Sequence, residues 1–354
     1  MSLVIMKHSV KASMLSNCTV LVTLLILCSF LLVGCIKAPS ETNKTYVERL
    51  SSTLDVAAVE PTPLKQLSLL PPAPLEKNNI TLGIVELAGI SHCNLNVLIS
   101  EHNNQLGKTA GAASQLKYQI NFIQSAQVCL NSIDKNSSIF SKIQKAKTYK
   151  QTHLMHYFNT MLFKERELNQ TWQLTSTELS KEPAGYSDTL HALKQLVAIK
   201  QKISSQEFYS INANAIFSAL EQLNKYQFNQ ALIQSARTQV VLNNSATKFV
   251  KTLNLNDFCP VGKNNKKAKI ISNVFQKFYL KDIQPYQAQL TGYLEELQPL
   301  YKELWFKQSI TSEPINNLIK LKSSNNLLNL LKSSAKNHVI WWQSFYKTCE
   351  ISPI

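Results

Sequence analysis

The feature that most constrains the fold is a helical spacing of apolar residues that continues, almost without interruption, from about residue 82 to the C-terminus. Leu116, Ile120 and Ile123 follow this spacing, and Leu154 and Phe158 continue it farther along the chain. Only seven glycines follow Cys35, and no run of alternating residues is long enough to predict a sheet. The sequence therefore predicts an all-α fold, a bundle of long antiparallel helices joined by short turns.

Individual elements can be placed within this pattern. Residues 139–180 are predicted to form one very long helix, and Thr45–Asp55 a short helix with apolar residues on one face. Residues 60–77 carry five prolines, which disfavour both helix and strand, so this stretch is predicted to be an extended arm. Pro285 and Pro299 are expected to kink or divide the helices near them.

The N-terminus has the composition of an export signal. Lys7 and Lys11 precede an apolar run from Val20 to Val33, which is shorter than the ~20 residues that a membrane-spanning helix needs. The run ends in Leu32-Val33-Gly34-Cys35, which resembles the lipobox of bacterial lipoproteins. This resemblance implies cleavage before Cys35 and lipid on its sulfur. The absence of aspartate at Ile36 favours sorting to the outer membrane, facing the periplasm.

Three regions follow from these features: a signal peptide (1–34), a region of lipidated tether, short helix and proline-rich arm (35–80), and a helical domain (81–354). The chain from Cys35 has 320 residues and a net charge of +13. A basic surface suits anionic partners, which in the envelope are lipids, lipopolysaccharide, cell-wall glycans or acidic proteins rather than nucleic acid. Solvated lysines are the alternative explanation. The cluster at Lys263, Lys266, Lys267 and Lys269 is either a solvated loop and helix start or a contact with lipid headgroups.

Four cysteines remain after the signal and the lipidated Cys35, namely Cys93, Cys129, Cys259 and Cys349. An even number in an oxidising compartment indicates disulfides. Four cysteines allow three pairings. Because loop closure costs least between near neighbours in sequence, Cys93 is predicted to pair with Cys129, and Cys259 with Cys349.

The stretch from Cys93 to Lys108, CNLNVLISEHNNQLGK, resembles a signature of an uncharacterised family of Gram-negative bacterial lipoproteins, a domain of unknown function. The lipobox, the Tyr46–Leu50 helix and the proline-rich arm fit the same family. The resemblance therefore spans most of the chain after Cys35. It implies no activity, ligand or catalytic residue.

Within that stretch, Glu101, His102, Asn103 and Asn104 form a dense polar group and are the candidate site. A glutamate and a histidine could act as base and acid, but adjacent helical residues point about 100° apart. A helix C-cap and turn at Asn103 or Asn104 with Gly107 is the structural interpretation. His153 and His156 lie three residues apart, but no HExxH motif is present. The sequence predicts no metal site, no cofactor and no catalytic residue.

These observations predict a non-catalytic envelope lipoprotein that binds another envelope component through a groove or face of the bundle. Two alternatives stay open. One is an enzyme acting on cell-wall or lipid substrates with Glu101 or His102 as base. The other is a carrier of lipid or lipopolysaccharide, for which the bundle must enclose an apolar cavity.

Overall fold

The computed structural model describes residues 38–76, 80–259 and 266–352. The predicted signal peptide over residues 1–34 and the predicted lipidation site Cys35 lie outside these residues. The helices in chain order are α1 (Pro39–Leu54), α2 (Ile84–Gly89), α3 (Asn94–Asn103), α4 (Gln105–Lys108), α5 (Ala112–Leu130), α6 (Ser138–Lys164), α7 (Arg166–Asn169), α8 (Tyr186–Ser204), α9 (Ala215–Tyr226), α10 (Phe228–Lys251), α11 (Leu255–Phe258), α12 (Lys266–Val274), α13 (Gln284–Trp305), α14 (Glu313–Ile319) and α15 (Leu327–Cys349). Short 3₁₀ turns cover Gln170–Trp172 and Phe208–Ser210, and a π-helical stretch covers Phe275–Ile283.

The described residues contain helices and no strands, so the predicted all-α class is confirmed. Helices α5 and α6 pack side by side and run antiparallel. Lys147 of α6 donates a hydrogen bond to Gln127 of α5, while Lys150, one turn later on α6, reaches back to Gln119. Residue numbers at these contacts rise along α6 and fall along α5. The two helices therefore form the predicted antiparallel hairpin.

Helices that are distant in sequence also pack in parallel. Asn243 of α10 contacts Ser334 of α15, and Thr247 contacts His338 one turn farther along both helices. The two helices can run parallel because the chain between α10 and α15 is long enough to return to the same end of the bundle. The bundle therefore combines antiparallel neighbours in sequence with parallel contacts between distant segments.

The predicted single helix over 139–180 is wrong. Helix α6 ends at Lys164, and Glu165 adopts an extended conformation with ψ of 127°. The Glu165 carboxylate accepts a hydrogen bond from the backbone N–H of Ala113, 2.7 Å away, in the first turn of α5. Glu165, which the sequence pattern placed inside the long helix, instead caps the N-terminus of α5.

The described residues from Pro39 onward belong to one compact unit, which includes α1 and the arm. Helix α1 begins six residues before the predicted start, with Pro39 in its first turn, where a missing N–H costs nothing. The arm over residues 56–76 is not helical. Leu67 is buried in the main core, Leu70 N–H donates to Ile310 O at 2.7 Å, and the Arg237 guanidinium donates to Lys65 O. These contacts hold the arm against the bundle.

The two prolines of α13 have different effects. Pro285 lies in the first turn of α13, directly after the π-helical stretch. In α geometry a proline ring clashes with the carbonyl four residues earlier, and the wider π turns before Pro285 accommodate it. Pro299 lies inside α13, and the helix continues through it to Trp305, so Pro299 does not divide the helix.

Three apolar cores hold the described residues together. The largest lies among α5, α6, α8, α9, α10 and α13. A second joins α1 to α12, the π-helical stretch and α15, and it contains Trp342 and Phe345. The smallest surrounds the Cys93–Cys129 disulfide. Cys259 pairs with Cys349, so both predicted disulfides are confirmed. No helix of the described residues combines the length and apolarity needed to cross a membrane.

Candidate functional site

The polar group predicted from the sequence lies at the end of α3. Glu101, Asn103 and Asn104 are exposed, and His102 is half-buried. Helix α3 ends at Asn103, and the Asn104 side chain begins α4 by accepting a hydrogen bond from Gly107 N–H at 2.8 Å. The two asparagines therefore belong to a tight turn between two helices.

Gly107 keeps this turn closed against α3. A Cβ atom at Gly107 would lie 2.4 Å from the backbone oxygens of both Glu101 and His102. Only glycine permits such a close approach of one backbone segment to another. The turn thereby supports the end of the helix that carries His102.

Glu101 and His102 point to different surroundings. Glu101 borders a shallow depression together with Asn121 and Gln124 of α5. The His102 ring instead stacks on Tyr118, with ring centroids 3.6 Å apart and planes 7° from parallel. The structure therefore does not bring Glu101 and His102 together as an acid and base pair.

His102 lines a cleft of about 490 Å³, within the ~300–1,000 Å³ typical of small-molecule sites. We call it the His102 cleft. Its walls come from the arm and the segment before α2, from α3, from α5 and from α6. The lining residues are Leu75, Glu76, Ile80, Thr81, Leu82, Ile99, His102, Asn103, Tyr118, Gln119, Phe122, Ala146, Tyr149, Lys150 and Tyr157.

Lys150 is the cation of the His102 cleft. Its Nζ lies 4.7 Å from the centroid of the Tyr118 ring and 4.6 Å from that of Phe122, and it donates to Gln119 Oε1 at 2.6 Å. Burial lowers the pKa of Lys150 to about 8. Cation–π contacts and one amide replace part of the lost hydration.

The surroundings also change the titration of the neighbouring rings. Burial, and then the charge of Lys150, lower the pKa of His102, so the imidazole is neutral at pH 7. Burial raises the pKa of Tyr118 well above its usual value. At neutral pH the cleft thus presents one cation, a neutral imidazole and neutral phenols, and the acidic residue Glu76 also lies in its lining.

Sequence reasoning located His102 but missed Tyr118, Lys150 and Tyr157. These residues belong to α5 and α6 and meet His102 only through helix packing. A partial signal was present, since Lys150 and Tyr157 lie seven residues apart and therefore on one face of α6. That face also carries apolar residues, so the pattern alone indicated core packing.

A second, more apolar cavity of about 210 Å³ lies between α1, the start of the arm and α10. Tyr46, Val47, Leu242 and Ala246 contribute to its walls. Its volume is below the ~300 Å³ at which small-molecule clefts typically begin. It is therefore a poor match for a lipid with several acyl chains.

The remaining candidates are structural. His153 contacts the backbone oxygen of Tyr149, and His156 contacts Thr160 on the same helix. Within the described ranges, no three histidine, cysteine or acidic side chains are grouped so that they could hold a metal ion. Lys263 lies outside the described residues. Lys267 donates to Leu54 O at the end of α1.

The described residues form an all-α protein with a cleft between its helices that is lined by aromatic and polar side chains. A family model described as "Protein of unknown function (DUF3080)" matches residues 43–353, and the chain belongs to this family. The match begins in α1 and ends after α15, so the family's domain includes the first helix, the arm and the bundle. No curated protein and no solved structure matches the chain.

Proposed function

We propose that this protein is an envelope lipoprotein, anchored through lipid on Cys35 in the outer membrane and facing the periplasm, that binds another envelope component in the His102 cleft without transforming it. The observation that carries the proposal is the cleft itself, which is large enough for a ligand and has a cation and aromatic side chains in its walls. The two disulfides suit an oxidising compartment outside the cytoplasm.

The two alternatives have less support. An enzyme with Glu101 or His102 as base would have to act without the other residue as its acid partner, because the two side chains line separate depressions. A carrier of lipid or lipopolysaccharide would require an enclosed apolar cavity. The more apolar cavity is only about 210 Å³, and the larger cleft has many polar groups in its walls.

The anchor is tested with the full-length chain in its native envelope. Cys35→Ser should abolish labelling by a radioactive or clickable fatty acid and should release the protein from the membrane fraction. Fatty-acid labelling that persists in Cys35→Ser would overturn the assignment of this cysteine.

The binding role is tested separately by photocrosslinking in cells. Benzoylphenylalanine replaces Asn103, an exposed residue that lines the cleft, or Asn337, an exposed residue of α15 outside it. We expect a discrete adduct from position 103 and none from position 337. Equal crosslinking from both positions, or none from position 103, would contradict binding in the His102 cleft.

A further inference from the structure

The Lys150 ammonium lacks an acidic partner. Among the described residues, no carboxylate lies within ion-pairing distance of Nζ, and the only hydrogen bond goes to the neutral Gln119. Holding a half-buried charge without a counter-charge is costly. Two of the three N–H donors stay unpaired at the wall of the cleft, where an anion could accept from them.

Other polar groups in the same cleft also have unused hydrogen-bonding capacity. Within residues 38–76, 80–259 and 266–352, the hydroxyls of Tyr118 and Tyr157 have no hydrogen-bond partner. The His102 ring is held by stacking on Tyr118 rather than by a hydrogen bond. The cleft therefore combines aromatic surfaces with hydroxyl, imidazole and ammonium groups, and with the carboxyl group of Glu76, which can accept from ligand hydroxyls.

We propose that the His102 cleft binds an anionic sugar unit. Its carboxylate or phosphate accepts hydrogen bonds from Lys150, its hydroxyls pair with Tyr118 and Tyr157, and the apolar C–H face of its ring packs on the aromatic walls. This inference rests on the proposed binding function and adds the ligand class. An acyl chain would leave the polar groups unpaired, and a simple anion would leave the aromatic surfaces uncovered.

Lys147 provides a matched control for a purely structural role of Lys150. Both lysines lie on α6 and donate to a glutamine of α5, Lys147 to Gln127 at 2.8 Å and Lys150 to Gln119 at 2.6 Å. Of these two lysines, only Lys150 lines the His102 cleft. If Lys150 served only to join the helices, Lys147→Met and Lys150→Met would have similar effects on stability and neither would affect binding.

The test is calorimetric titration of the full-length lipoprotein in detergent with defined probes. N-Acetylmuramic acid and glucose 1-phosphate carry an anion on a sugar ring, while N-acetylglucosamine and glucose are their neutral counterparts. Glycerol phosphate carries the anion without a sugar ring, and a tri-alanine peptide represents a peptide carboxylate. We expect saturable binding of at least one anionic sugar, at least tenfold tighter than binding of its neutral counterpart.

The variants locate the site. Lys150→Met should weaken binding of the anionic sugar at least tenfold, Tyr157→Phe should weaken it severalfold, and Lys147→Met should leave it unchanged. Circular dichroism and thermal melts check that each variant is folded, and Lys150→Gln replaces Lys150→Met if the latter is not.

Three results would overturn the proposal. They are unchanged binding in Lys150→Met and Lys150→Gln, equal affinity for glycerol phosphate or for tri-alanine, and absence of binding by every probe. If no probe binds while position 103 still crosslinks in cells, the sugar class fails and the binding function survives. If crosslinking from position 103 is absent as well, both fail.

Discussion

At the scale of single residues, His338 has the most completely defined surroundings. Its Nε2 lies 2.8 Å from the hydroxyl of Tyr46, and its Nδ1 lies 3.2 Å from the hydroxyl of Thr247. Because Thr247 donates to the backbone oxygen of Asn243, His338 Nδ1–H must donate to Thr247. Nε2 therefore accepts from Tyr46, whose oxygen also accepts from the indole N–H of Trp342. Every polar atom in this chain of contacts is paired in the neutral state of the imidazole.

This arrangement predicts a pH dependence of stability. Burial lowers the pKa of His338 from the ordinary ~6.5 to about 3. Between these two values the unfolded chain binds a proton that the folded chain does not, so the free energy of unfolding falls as the pH is lowered. The slope from this group approaches ~1.4 kcal/mol per pH unit. The contribution is absent above about pH 7.

Urea unfolding at several pH values, with His338→Gln as the comparison, isolates the contribution of His338 to the free energy of unfolding. At pH 7.5 the variant should be less stable by about 1–3 kcal/mol, because buried partners lose hydrogen bonds. The difference should shrink at pH 5 and below, since glutamine does not titrate. Parallel stability curves for the two proteins would contradict the assignment of a neutral buried imidazole.

At the scale of secondary-structure elements, Glu165 links the end of α6 to the start of α5. Glu165→Ala should lower the free energy of unfolding by about 1–2 kcal/mol, because the N–H of Ala113 loses its cap and the α5 N-terminus loses a favourable negative charge. Glu165→Gln should recover part of this loss, since the amide oxygen still accepts. Urea unfolding measures all three proteins. Glu167→Ala, which removes a nearby carboxylate, is the control and should have little effect. Equal losses at positions 165 and 167 would argue against capping.

At the scale of the whole molecule, the two disulfides stabilise different parts of the bundle. The Cys93–Cys129 bond closes a loop with a sequence separation of 36 and joins the start of α3 to the end of α5. The Cys259–Cys349 bond spans a separation of 90 and holds the C-terminal end of α15. Since His102 lies on α3, the first bond supports the His102 cleft and the second does not reach it.

Paired alanine variants separate these roles. Loss of either disulfide should destabilise the chain by roughly 3–5 kcal/mol, according to the loop-closure model. Loss of Cys93–Cys129 should also speed hydrogen exchange in α3 and weaken any binding in the cleft. Loss of Cys259–Cys349 should speed exchange in α15 and leave α3 unchanged. Identical exchange patterns in the two variants would show that the bundle responds as one unit.

The sequence by itself determined the features that depend on local spacing. The recurrence of apolar residues predicted the helices and their buried faces, and the order of the cysteines along the chain predicted both disulfides, because short loops close at the least entropic cost. The angle between successive helical side chains also indicated that Glu101 and His102 would not face each other.

Only the tertiary structure decided which distant residues meet. The end of α6 at Lys164 depends on Glu165 finding an unpaired N–H in α5. The hydrogen bonds of His338 join α15 to α1 and α10, which run beside it. The His102 cleft exists because α3, α5 and α6 bring a histidine, tyrosines and Lys150 to one place. Periodicity assigns each side chain a face of its own helix, but the partner on that face is set by the packing of helices against one another.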